Sequence, residues 1–197
     1  ESADNHGATL MKAMLSKNPN INFCGIGGGK MISAGLNSIE NIEKMAVMGF
    51  VEVIQHLGFF HNLSKKVLDK IDECKPRQII LIDYPGFNLR LATKIKKQFN
   101  IPITYYISPQ IWAWKEKRIE IIRKYVDQML VIFPFEENWY RARGIDAKFV
   151  GHPIFDEWTQ SSKENLCDQL TLKLETPVVT LYPGSRKQEV NRHLPIL

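Results

Sequence analysis

Cysteine is scarce: the 197 residues hold three, Cys24, Cys74 and Cys167, and none stands in a Cys-x-x-Cys pair. That excludes a disulfide framework and fits a reducing compartment. Histidine is sparse as well. His56 and His61 are five apart and His152 precedes Pro153, but no Cys or carboxylate cluster completes a zinc pattern, so no metal site and no cofactor is expected. Long apolar runs are missing: no stretch reaches the ~20 residues of a membrane-spanning helix, and no signal peptide is visible. One-sided charge is missing too. Twenty-six basic residues against 21 acidic ones give +5, which suits phosphate-rich ligands or an anionic membrane surface and is too mild for nucleic acid. The chain opens at Glu1 without an initiator methionine and stops at Leu197 inside a helical pattern, so a piece of a longer protein is expected.

A hydrophobic fraction of 44% with 24% charged residues is globular composition, enough for a core without staples. Short runs rich in β-branched and aromatic residues predict strands over 21–25, 78–83, 102–107, 128–133, 147–151 and 178–182. Amphipathic stretches predict helices over 5–16, 63–74, 88–98, 115–125, 136–143 and 187–194. Ile79-Ile80-Leu81-Ile82 is the near-continuous apolar strand that a parallel sheet covered on both faces requires. The rhythm implies a doubly wound α/β domain with a parallel, Rossmann-like sheet. The polar stretch Thr159–Glu175 is read as a boundary, giving a first domain over 1–170 and the truncated start of a second over 171–197.

Ligands of such sheets gather at the carboxyl ends of the strands. Gly25-Ile26-Gly27-Gly28-Gly29-Lys30 fails the dinucleotide fingerprint at Lys30 and the P-loop at Cys24 and Met31. It is a flexible turn whose amides are candidates for phosphate contact. Asp83 ends the most hydrophobic strand. Pro85 and Gly86 then turn the chain, and Asn88 is the expected helix cap, which leaves Asp83 free to take a proton from an attacking hydroxyl or to be satisfied by loop amides. Ser2 and Asp4 either cap the first helix or, with His6, meet an anionic substrate. Trp112 and Trp114 follow a strand and precede a basic helix, so they pack or bind. His152 stands at another strand end, and Gly184-Ser185-Arg186 could meet a diphosphate at a helix start. In the apolar stretch 45–60, Val51, Ile54, Phe59 and Phe60 are either core or an interfacial patch beside Lys65, Lys66 and Lys70.

The ordered set of motifs carries more than any one of them. Ser2-Ala3-Asp4, Ala46-Val47-Met48-Gly49 with Val51-Glu52-Val53, and Ile82-Asp83-Tyr84-Pro85-Gly86-Phe87-Asn88 come first. Ser108-Pro109 with Trp112-Ala113-Trp114, Phe133-Pro134-Phe135-Glu136, Gly151-His152-Pro153 and Leu181-Tyr182-Pro183-Gly184-Ser185-Arg186 follow. Together they resemble the lipid-A-disaccharide synthase family of inverting GT-B glycosyltransferases. The resemblance implies a two-domain GT-B enzyme moving diacylglucosamine from UDP to diacylglucosamine 1-phosphate. It also implies a peripheral site on the cytoplasmic face of the inner membrane. By resemblance Asp83 is the general base, and Gly184, Ser185 and Arg186 contact the UDP diphosphate. Ser2, Asp4, Asn88, Trp114 and His152 are placed along the acceptor cleft. The sequence departs from the family pattern at Ala3, often Gly, and at Gly86, often acidic. Competing readings are another GT-B activity, such as a UDP-GlcNAc 2-epimerase, and a non-catalytic membrane-binding module.

Overall fold

The computed structural model describes residues 2–41, 57–175, 177–185 and 187–196. They divide into two compact units, 1–156 and 157–197.

The first unit is built on parallel strands. Strands β3 (Ile79–Ile82), β4 (Ile103–Tyr106), β5 (Gln128–Val131) and β6 (Ala147–Phe149) form a four-stranded sheet in that order, every pair parallel. The register aligns Leu81, Tyr105, Met129 and Ala147 in one row across the sheet, and all four are buried. On β4 the consecutive residues Ile103, Thr104 and Tyr105 are all buried. Because successive side chains point to opposite faces, both faces of this strand are covered. That is the layered α/β arrangement the apolar run at 79–82 predicts.

Helices supply the cover. Helix α3 (Leu57–Cys74) contributes Leu63, Val67 and Ile71 at four-residue spacing, and α4 (Pro85–Gln98) contributes Leu91, Ala92 and Ile95. A 3₁₀ turn (Glu116–Arg118) leads into α5 (Ile119–Tyr125), which adds Ile119 and Ile122, and α6 (Pro134–Arg141) adds Tyr140. Such spacing stacks side chains on one face of each helix.

At the amino end, α1 (Ser2–Lys17) precedes β1 (Phe23–Gly27), a five-residue α2 (Gly29–Ser33) and β2 (Leu36–Asn41), which pairs parallel with β1 as a separate two-stranded sheet. Ile26 and Ile39 of this sheet pack against the main core. Gly7 lets α1 lie close against α2: a Cβ there would sit 2.5 Å from the Met31 sulfur.

Several expectations shift. Helix α1 begins at Ser2, α3 at Leu57 and α4 at Pro85, each earlier than the apolar periodicity suggests, and β1 is displaced to 23–27. Periodicity reports only the buried face, and Pro85 suits a first turn because it has no N–H to leave unpaired. Asn88 is therefore not the helix cap. Tyr84, in the left-handed region at φ 45°, stands at that position. Strand β2 and helix α2 were not anticipated, since Leu-Asn-Ser-Ile-Glu-Asn lacks alternation and α2 is barely one turn.

The second unit holds α8 (Lys163–Leu170), reached through a short α7 (Ile154–Glu157), and α9 (Lys187–His193). Ser162 caps α8 by accepting the Asn165 N–H at 3.3 Å. The strand expected over 178–182 does not form, and Val179 and Tyr182 are more than four-fifths exposed. A strand exists by pairing, and no other strand stands among the described residues of this unit to pair with it. Among the described residues no helix is long and apolar enough to cross a membrane.

Candidate active site

The carboxyl ends of β3, β4 and β5 surround a cavity of about 270 Å³, lined by Asp83, Ile107–Ile111, Trp114, Arg118, Phe133 and Glu136 among others. Its rim is unusual in backbone terms. Asp83, Tyr84, Ile107 and Lys115 have φ of 48°, 45°, 62° and 60°. For β-branched Ile107 this is a genuine outlier, and such strain persists only where the surroundings over-determine it.

The surroundings do so at Asp83. Its N–H donates to the Tyr106 carbonyl at 3.0 Å. Its own carbonyl accepts the Tyr105 hydroxyl at 2.6 Å and the Asn88 amide at 2.7 Å. Asn88 also donates to the Ile82 carbonyl at 3.1 Å. Instead of capping a helix, Asn88 staples the β3–α4 turn. Burial, and then the charge of Asp83, push the Tyr105 hydroxyl far above its ordinary range, so it remains a donor at any working pH. The half-buried Asp83 carboxylate has no hydrogen bond or ion pair among the described residues. It stands at the cavity, on a backbone held from three sides.

A second clamp builds the opposite wall. Glu136, only 1% exposed, accepts the Ser108 hydroxyl at 2.8 Å, the Trp112 indole N–H at 3.0 Å and the Phe133 N–H at 3.3 Å. Tyr140 donates its hydroxyl to the Pro109 carbonyl at 2.8 Å. Burial, then the nearby Glu136 charge, raise this phenol well above its ordinary value and keep it a donor. The loop 107–114 is thus fastened at both ends of its first turn. Trp112 packs edge-on against Phe135 at 5.1 Å. Trp114 is 56% exposed, with the Lys115 ammonium 4.3 Å from its ring centre.

The remaining sequence candidates fall elsewhere. His152 lies 5.6 Å, ring to ring, from the cavity-lining Phe133, and its Nδ1 accepts the Ile154 N–H at 3.2 Å. Asp4 is 7% exposed, and its carboxylate accepts backbone N–H groups from Gly28, Met31 and Lys30 at 2.8, 3.0 and 3.0 Å. It caps α2 rather than its own helix. Of the glycine-loop amides considered for phosphate contact, those of Gly28 and Lys30 are taken by this carboxylate. Ser2 Oγ lies 3.1 Å from His6 Nε2. Phe59 and Phe60 are half-buried against the core, with Phe60 5.8 Å from Phe87, while Val51 and Ile54 lie outside the described residues. In the second unit, Gly184 takes φ 117° and Ser185 donates its N–H to Glu189 at 3.0 Å; Arg186 lies outside the described residues.

A family model described as lipid-A-disaccharide synthetase matches residues 1–197. The chain belongs to that family. Lipid-A-disaccharide synthase 1 of Legionella pneumophila strain Paris is 43% identical over the whole chain, which covers 52% of that relative. The lipid-A-disaccharide synthases of Coxiella burnetii strain CbuK_Q154 and Syntrophus aciditrophicus strain SB are 41% and 44% identical, again over the whole chain, covering 52% and 51% of their length. The chain spans about half the length of these lipid-A-disaccharide synthases. Two site-building residues of this chain had no role assigned from sequence, Glu136 and Tyr105. For Glu136 a signal exists: Phe-Pro-Phe-Glu puts proline at a helix start and glutamate two residues on, where it reaches back to an N–H of its first turn. Nothing local announces Tyr105.

Proposed function

We propose that this chain is the amino-terminal part of a lipid-A-disaccharide synthase, an inverting glycosyltransferase that moves diacylglucosamine from UDP to the 6-hydroxyl of diacylglucosamine 1-phosphate. The observation that carries the mechanism is the unpartnered Asp83 carboxylate at the cavity, on a turn pinned by Tyr105, Asn88 and Tyr106. Asp83 accepts the proton of the acceptor hydroxyl. The freed oxygen attacks the anomeric carbon of the donor, the bond to the diphosphate breaks, and UDP leaves with that electron pair. A base held by its main chain, with its carboxylate unspent, suits this step. Gly184, Ser185 and Arg186 meet the departing diphosphate, whose charge needs stabilising donors.

Asn88 acts by positioning Asp83, Trp114 and His152 face the acceptor, and Ser2 and Asp4 contribute through the amino-terminal helix and the loop that Asp4 holds. The first unit, 1–156, belongs to the acceptor domain, and the donor domain opens within the second unit, 157–197. The apolar stretch with Val51, Ile54, Phe59 and Phe60 rests on the cytoplasmic face of the inner membrane, where both acyl substrates reside. The family name of the relatives supports this reading over an epimerase, which would share the parallel α/β fold.

The test is UDP release by the full-length protein in mixed micelles with UDP-diacylglucosamine, with and without the phosphorylated acceptor. Acceptor-dependent release with a disaccharide product is expected, reduced about 100-fold or more in Asp83→Asn, within the range of general-base contributions. Absence of acceptor-dependent release from folded protein overturns the proposal.

A further inference from the structure

The cavity contains a cation that the reaction outlined above has not used. Arg118 ends the 3₁₀ turn Glu116–Arg118, is half-buried and lines the same cavity as Asp83. Of the neighbouring cations, Lys115, Lys117 and Lys124 have no ion pair among the described residues and Lys115 and Lys117 are exposed, whereas the two nearby arginines are paired. Arg123 pairs with Glu120 at 2.6 Å and Arg143 with Glu116 at 3.0 Å. Among the described residues the Arg118 guanidinium has no ion pair or hydrogen bond, and its closest recorded partner is the Trp114 ring, 6.0 Å from the guanidinium carbon to the ring centre. The buried Glu136 carboxylate on the same wall already serves three donors. A half-buried guanidinium is costly to leave uncompensated, and its planar fork matches two oxygens of a phosphate.

We infer that Arg118 is an anion subsite that binds the phosphomonoester of the lipid-sugar acceptor, so that the sugar is held by its phosphate while its hydroxyl meets Asp83. The inference rests on the reading given under Proposed function. It gives the cavity one residue for each end of the acceptor, Asp83 for the proton and Arg118 for the phosphate. The Ser108–Ile111 wall of the same cavity is fastened by Glu136 through Ser108 and by Tyr140 through Pro109. The same guanidinium chemistry would serve the donor diphosphate, and the kinetics separate the two sources.

The experiment compares wild type, Arg118→Lys and Arg118→Gln in the full-length protein, using diacylglucosamine 1-phosphate and its dephosphorylated counterpart as acceptors. For Arg118→Gln the KM for the phosphorylated acceptor is expected to rise about 10- to 100-fold. The donor KM stays near wild type, the dephosphorylated acceptor loses much less than the phosphorylated one, and Arg118→Lys falls between. A rise in donor KM alone assigns the guanidinium to the diphosphate and overturns the inference. Equal losses with both acceptors, or no change, overturn it as well. Phosphorus NMR titration of glucosamine 1-phosphate reads the subsite without turnover. Binding by wild type and not by Arg118→Gln sustains the subsite even if no disaccharide forms; equal binding by both refutes it.

Discussion

Replacing Glu136 with alanine strips the acceptor from three donors at once: the buried Ser108 hydroxyl, the Trp112 indole N–H and the Phe133 main-chain N–H. A hydrogen bond to a charged group contributes about 1.5–3 kcal/mol, but the three do not count equally. Ser108 is 6% exposed and has no water to turn to, so its loss is nearly whole. Trp112 is 38% exposed and can re-pair with solvent, and the Phe133 contact is long at 3.3 Å. Relief from burying a carboxylate works the other way. Removing one side of a buried polar cluster strands its partners, so the losses win, and we expect a destabilisation of about 2–4 kcal/mol. Glu136→Gln keeps an acceptor for Ser108 and Trp112 and should lose about half as much. Urea titration of the full-length protein, followed by tryptophan fluorescence, measures both. Because the clamp sets the wall carrying Trp114 and Arg118, kcat/KM should fall in step with the loss of Trp112 packing. An alanine variant within 0.5 kcal/mol of wild type, a bound set by ordinary surface substitutions, would refute the reasoning.

Asp4→Ala removes the carboxylate that holds Gly28, Lys30 and Met31, and should destabilise by about 2 kcal/mol in a thermal melt; Asp4→Asn should recover part of this. Although Cys24 is exposed at the surface, partial desolvation first and then the neighbouring Cys74 thiol push its thiol above the ordinary range. Its alkylation by iodoacetamide should therefore be slow at neutral pH and reach half its maximal rate only above the usual cysteine value; Cys74→Ser should shift that profile down. At Asp127 burial raises the carboxyl, but the Lys96 hydrogen bond at 2.9 Å and the Ile103 N–H at 2.6 Å outweigh it and hold the group below the usual carboxylate range. A depressed folded-state value means stabilisation present at neutral pH and lost as pH falls through that value. With the side chain 48% exposed, screening keeps the effect under about 1 kcal/mol. Asp127→Asn should be slightly less stable than wild type at pH 7, and the gap should close in acid.

What the sequence made legible followed from burial and from order. The apolar run at 79–82 announced a strand of a parallel sheet, although only its Leu81 is fully buried and full cover on both faces falls on the neighbouring β4, and the residues after it announced the strand end where Asp83 lines a cavity. Side-chain roles were harder to read. Asn88 resembles a cap in one dimension and becomes a turn staple because Pro85 starts the helix three residues sooner. Asp4 resembles a cap for its own helix, yet its partners lie 24 to 27 residues away, a contact that only the approach of α1 to α2 creates. Tyr105 reads as one more aromatic strand residue, and its hydroxyl acquires meaning only because the β3–β4 register brings it beside Asp83. Long-range polar pairs of this kind leave no periodic trace.

The Asp4 contact has a bearing on selectivity inside a crowded cell. Glycine loops with open amides collect nucleotides, and the cell is full of nucleotides that are not substrates. Here a carboxylate from the protein's own chain holds the Gly28, Lys30 and Met31 N–H groups, the way a resident counter-ion would. A free nucleotide triphosphate would have to displace a covalently tethered competitor to settle there. The first α/β unit thus spends those N–H groups on a carboxylate of its own chain, so that turn is already neutralised from within.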